Sequence, residues 1–174
     1  MLILPYMDQD ELYEQYDFSV PWNHPNNIRL QDSIPPLYQF PDRSGGVETN
    51  YLAIVGPSSV FDASSEDLTR AAHTLMVVEN NDRHIHWMQP VDLPLDEAAS
   101  GVGVPGGMTS AYLDPAGVTS DGEVLTLDSK ISNDDLRQVL TVPTDQTAPP
   151  QSADGVTEIQ DGRLRETKKT GSTQ

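Results

Sequence analysis

The chain has no cysteine, few basic residues and no long apolar run, and each shortage removes a class of function. Without cysteine there can be no disulfide, thiolate metal site or cysteine nucleophile. Ten Lys and Arg stand against 27 Asp and Glu, a net charge of −17. Such a surface repels phosphate backbones and anionic lipid, so neither nucleic-acid nor membrane-surface binding is expected, whereas a divalent metal or a cationic partner is compatible with it. The apolar runs fall far short of the roughly 20 residues of a spanning helix. MLILPYM turns acidic at Asp8 and lacks the basic region of a secretory leader, so the sequence as given carries no export signal and no membrane span. With 36% hydrophobic residues and 14 prolines, the expectation is one domain with a small core.

Local signals divide the chain. Residues 8–16, DQDELYEQY, predict a short helix, with Asp8 as cap, acids in the first turn, and Leu12 and Tyr16 on one face. Pro21 and Pro25 make 17–36 a loop. PLYQF (36–40) and TNYLAIVG (49–56) are bounded by Pro, Gly and Asn and rich in aromatic or β-branched residues, which predicts strands. Ser64 to Asp67 has the capping-box pattern of a helical turn. LMVVE (75–79) predicts a buried strand that pairs, across the polar NNDR turn, with HIHWM (84–88). SGVGVPGGM (100–108) reads as a loop or flap. In GVTSDGEVLTL (117–127), Asp121-Gly122 between alternating residues is the strongest hairpin signal in the chain. A second capping box, Ser132 to Asp135, opens a short helix with Leu136, Val139 and Leu140 on one face.

From Pro143 to Gln174 the composition shifts to Thr, Gln, Ser, Pro, Asp and Lys, with too few apolar residues to offset the entropy of ordering. This segment is expected to be a disordered polar tail. It holds five of the 27 acids and four of the ten bases, which leaves −16 on residues 1–142, so the acidity belongs to the folded part.

Four segments in order carry a family resemblance: LILPYMDQDELYEQYDFSVPW (2–22), TNYLAIVGP (49–57), HTLMVVENNDRHIHWMQPVDLPLDE (73–97) and SDGEVLTLDSKISNDDLRQVLT (120–141). They resemble planctomycete secreted proteins of unknown function that have a prepilin-type N-terminus and a C-terminal H-x9-D-G motif. The resemblance implies a pilin-like architecture, a long apolar N-terminal helix carrying an antiparallel β domain, and an extracytoplasmic location in the cell envelope or medium. The leader and helix of that family precede the point where this sequence starts, so the expectation is a trimmed domain or a gene that has lost its export segment. Phe40-Pro-Asp-Arg43 stands where similar members carry Cys-Pro-Ser-Asp. Asp121 and Gly122 match the D-G of the motif, but counting ten residues back puts Ala111 where its histidine should stand.

Candidate sites follow from residue type and spacing. His84 and His86, at i and i+2 of a strand, would share a face and could hold zinc with a third ligand from His73, Glu79 or Asp82; otherwise they are histidines half-buried beside Trp87. Asp92, Asp96 and Glu97 could give oxygen ligands to calcium, with Asp114, Asp121 and Asp128 as further donors, although three acids around prolines also make an ordinary solvated turn. There is no G-x-S-x-G elbow, no Walker lysine and no strand-borne G-x-G-x-x-G. Trp22, Trp87, Tyr51 and Phe61 are expected in the core, with Trp87 central. Trp87, Pro90, Asp92, Asp121 and Gly122 are expected as structural marks of the family-like string and turn.

The expectation is therefore an α+β domain over 1–142. It has an antiparallel sheet of about four to six strands with short flanking helices, a pilin or pseudopilin-like soluble domain, followed by the tail 143–174. The expected function is non-enzymatic, a structural or partner-binding role by protein contact or self-assembly, with no cofactor. The alternatives are a small calcium-binding module and a hydrolase with an unrecognised acid pair.

Overall fold

The computed structural model describes residues 1–39, 46–144, 154–160 and 163–166. In chain order the described strands are β1 (Glu48–Thr49), β2 (Tyr51–Val55), β3 (Leu75–Glu79), β4 (Ile85–His86), β5 (Leu93–Pro94), β6 (Ala116–Thr119), β7 (Val124–Leu127), β8 (Val156–Gln160) and β9 (Arg163–Glu166). The described α-helices are α1 (Asp10–Gln15), α2 (Pro25–Ile28), α3 (Ser65–Leu68), α4 (Leu95–Ala98) and α5 (Asn133–Leu140). None of these helices is long and apolar enough to cross a membrane. The chain divides into two compact units: Met1–Asn50 with His84–Val91, and Tyr51–Arg83 with Asp92–Gln174.

The first unit is assembled from short turns. Asp8, at φ 56°, ends a 3-10 turn over Leu4–Met7 and does not cap α1, whose N-cap is Gln9. The segment 17–36, expected as loop, winds into α2 and a 3-10 turn at Gln31–Ser33. Pro25 occupies the first turn of α2, where its missing N–H goes unused, and His24 Nδ1 accepts from the Asn26 amide at 3.2 Å. PLYQF is not a strand: Pro36–Tyr38 is a 3-10 turn begun by the fixed φ of proline, and Phe40 lies outside the described residues. HIHWM does not pair with β3. Its β4 runs antiparallel to β1, Glu48 opposite His86 and Thr49 opposite Ile85. This places Trp87 and Met88 in a core with Leu4, Leu12 and Leu30.

The second unit is a seven-stranded mixed sheet, ordered β5-β2-β3-β6-β7-β8-β9 among the described residues. All neighbours are antiparallel except β2 and β5, which are parallel. Alternation drives it: Leu52 and Ile54 of β2 and Leu125 and Leu127 of β7 are buried, with less buried residues between them. Helix α5 begins at the Ser132 cap, whose Oγ accepts from the Asp135 amide at 3.1 Å, and buries Leu136, Val139 and Leu140. Each such buried side chain contributes about 1.5–3 kcal/mol relative to exposure. Helix α3 has the full capping box, Ser64 and Asp67 each bonding the other's amide. Within the segment expected to be disordered, Val156–Gln160 and Arg163–Glu166 extend the sheet as β8 and β9, so the order reaches past residue 142. The sheet is larger than expected because β7 offers an edge to which these polar segments add through backbone hydrogen bonds, which composition does not encode.

The Gly-rich 101–107 segment is a pinned turn. Met108 N donates to Gly101 O at 3.2 Å, and Gly103 N to Met108 O at 2.8 Å. Buried Asn80 donates to Gly107 O at 2.7 Å and accepts from Arg83 N at 3.1 Å, tying the NNDR turn to it.

Candidate functional site

The antiparallel register of β3 and β6 sets Leu75 opposite Thr119, so two residues further out residue 73 faces residue 121. The β6–β7 hairpin then turns through Asp121-Gly122, with Gly122 at φ 87°, and returns at Glu123, whose carbonyl accepts from the Thr119 amide at 2.9 Å. Two local facts of backbone pairing thus bring one histidine and two carboxylates together from positions 48 and 50 residues apart.

His73 Nδ1 lies 2.7 Å from Glu123 Oε2 and 3.3 Å from Asp121 Oδ2. The His73 amide donates to Asp121 Oδ1 at 3.1 Å, and the Thr119 hydroxyl donates to the same oxygen at 2.6 Å. Oδ1 is therefore committed to the scaffold, and Oδ2 faces the imidazole. The hydrogen bond to Glu123 raises the His73 pKa. Burial opposes that shift, and the charges of Asp121, Glu123 and Glu158 add to it. For Asp121 burial acts upward, but the Thr119 hydroxyl, the His73 amide, its own amide and the His73 charge together hold the carboxyl below its ordinary value. The neighbouring hydroxyls are already used as donors, Thr119 to Asp121 and Ser120 to the Ala71 carbonyl.

The sites expected from the sequence are placed elsewhere. His84, at φ 49°, precedes β4 and does not share a strand face with His86. Its Nδ1 is 3.0 Å from Glu48 Oε2 on the exposed surface. His86 lies against the Trp22 ring at a centroid distance of 4.8 Å and accepts from the Met88 amide on Nδ1 at 3.2 Å, while burial lowers its pKa. Of their proposed third ligands, Glu79 is buried and accepts from the Ala116 amide at 3.0 Å, Asp82 is exposed, and His73 belongs to the Asp121 cluster. Asp92, Asp96 and Glu97 are exposed; Asp96 and Glu97 fill the first turn of α4, and Glu97 pairs with Arg83. Asp128 accepts from the Lys130 amide at 2.8 Å in a turn, and Asp114 is half-buried. Among the described residues the one group of three or more metal-ligand side chains close together is His73, Asp121 and Glu123, whose ligand atoms lie within 4.8 Å of one another.

Of the four aromatics expected in the core, Trp87 is buried, Trp22 and Tyr51 are half-buried, and Phe61 is 55% exposed. Pro90 is exposed beyond β4. Ala111, ten residues before Asp121, is also exposed, and it is His73 that meets Asp121. His73 and Glu123 were missed as partners of Asp121. The signal present in the sequence was the D-G turn with a carboxylate on each side of Gly122, and only the β3–β6 pairing supplies the histidine.

Residues 1–87 match the model of a family described as protein of unknown function (DUF1559). No curated protein and no solved structure gives a significant match.

Proposed function

The chain belongs to the DUF1559 family of proteins of unknown function, and on that premise we propose that it is a non-enzymatic, pseudopilin-like soluble domain with a structural or partner-binding role. The observation that carries this reading is where the family-like segments fall. TNYLAIVGP supplies β2, the LMVVE of HTLMVVE supplies β3, and the D-G segment supplies the turn and β7 of a hairpin whose β6 is the neighbour of β3. Segments that resemble prepilin-type proteins thus supply three of the four neighbouring strands β2, β3, β6 and β7, which supports an architecture specified as a unit. The location that fits is extracytoplasmic, in the cell envelope or the medium, and the net charge of −17 favours a cationic partner over an anionic one.

The test is to read the DNA upstream of the codon for Met1. An in-frame apolar helix of about 20 residues preceded by a prepilin cleavage site is the expected result. Its absence from the gene removes the fibre-subunit reading.

A further inference from the structure

We propose that His73, Asp121 and Glu123 form a binding site for a divalent cation of the zinc class. Zinc bonded at about 2.0–2.2 Å to nitrogen and oxygen holds tetrahedral neighbours roughly 3.3–3.6 Å apart. His73 Nδ1 and Asp121 Oδ2 already stand at 3.3 Å. The 2.7 Å contact from Nδ1 to Glu123 Oε2 is a hydrogen bond and has to open by about 0.6–0.9 Å to reach that spacing. The Glu123 side chain is 37% exposed, so its carboxylate has the freedom to make that adjustment.

The donor set decides the class of ion. Calcium takes six to eight oxygen ligands, which one histidine and two carboxylates do not supply, whereas imidazole with carboxylate suits zinc. The scaffold also fixes the ligands. The Thr119 hydroxyl and the His73 amide hold Asp121 Oδ1, which aims Oδ2 at the imidazole as an outer-shell partner does in metal sites. The two carboxylates, with Glu158 nearby, make a negative field at Nδ1 that favours a dication. Three protein ligands leave the fourth position of a tetrahedral ion to water, and the three side chains are partly exposed.

The full chain, stripped with chelator, is titrated with zinc chloride by calorimetry, and the histidine ring signals are followed by NMR. The expected result is one saturable zinc per chain and a shift of the His73 ring signals. His73→Asn and Glu123→Gln are each expected to weaken binding about tenfold or more, the scale of losing part of a ligand shell. Asparagine tolerates the φ of 64° at position 73, and Glu123→Gln keeps the shape of its side chain, so far-ultraviolet circular dichroism should be unchanged for both. Absence of saturable binding, or the parent's affinity retained in both variants, overturns the proposal. Displacement of zinc by millimolar calcium overturns the assignment of ion class.

Discussion

The indole N–H of Trp87 donates to the main-chain carbonyl of Gln31 at 2.8 Å, joining positions 56 residues apart. The ring is 6% exposed, grouped with Leu4, Leu12, Leu30 and Met88, and 6.1 Å from the Tyr38 ring between centroids. A side chain that both fills the core and satisfies a distant carbonyl ties β4 to the N-terminal turns of the first unit.

Trp87→Ala should therefore destabilise that unit by about 3–5 kcal/mol, the cost of an emptied aromatic site. Trp87→Phe keeps most of the apolar area but leaves the Gln31 carbonyl without its donor, at a cost of about 1–3 kcal/mol. Urea unfolding followed by circular dichroism measures both. An alanine variant as stable as the parent would place the ring outside the core.

Asn27 has no exposed surface, and its side chain does the work of a small sheet inside the 17–36 segment. Oδ1 accepts from the Asp17 amide at 2.8 Å, and Nδ2 donates to the carbonyls of Asp17 at 2.9 Å and Pro21 at 3.1 Å. Asn27→Ala strands these buried groups and should cost about 1–3 kcal/mol. Asn27→Asp should be worse at neutral pH, because an acceptor-only carboxylate then faces two carbonyls. Unfolding midpoints that rank the aspartate variant above the alanine variant would contradict this geometry.

The features legible in the sequence were those whose cause is local. The Asp121-Gly122 hairpin, the Ser64 and Ser132 caps and the apolar face of α5 each depend on residues within a few positions of one another. PLYQF misled because its aromatic content outweighed Pro36, which instead starts a 3-10 turn. The strand nearest to HIHWM in sequence is β3, whereas β4 pairs with β1, about 37 residues away. The site was illegible for the same reason. Asp121 was a candidate from its turn, but His73 reaches it only through the β3–β6 register, which no local pattern encodes.

Asp17 gives a prediction about pH. Hydrogen bonds from the Ser19 hydroxyl, the Asn26 amide side chain and the Ser19 amide, with the charge of His24, outweigh burial and hold its carboxyl below the ordinary value. A depressed folded pKa means the contribution is present above the unfolded pKa of about 3.9 and is lost as pH falls through the folded value. Asp17→Asn should therefore lower the unfolding midpoint at pH 6, and the gap to the parent should narrow as the pH is brought towards 2. A gap that stays constant with pH would show that the ionised carboxylate is not what these groups hold.

Gly117 tests the packing between β3 and β6. It lies opposite Val78 and Leu125, and a Cβ there would stand 2.6 Å from Leu75 Cδ2 and 3.0 Å from Val77 O. Leu75 is fully buried, so Gly117→Ala should cost about 1–3 kcal/mol through overpacking. Gly122 is the opposite case: a Cβ there meets nothing within 4 Å, and the penalty of Gly122→Ala, about 1–2 kcal/mol, comes from its positive φ alone. The two losses should respond differently to a second change. Leu75→Val makes room beside residue 117 and should recover part of the Gly117→Ala loss while adding its own cost independently to Gly122→Ala. Additive behaviour in both double variants, measured by thermal unfolding, would mean that the close approach at Gly117 does not set the spacing of these strands.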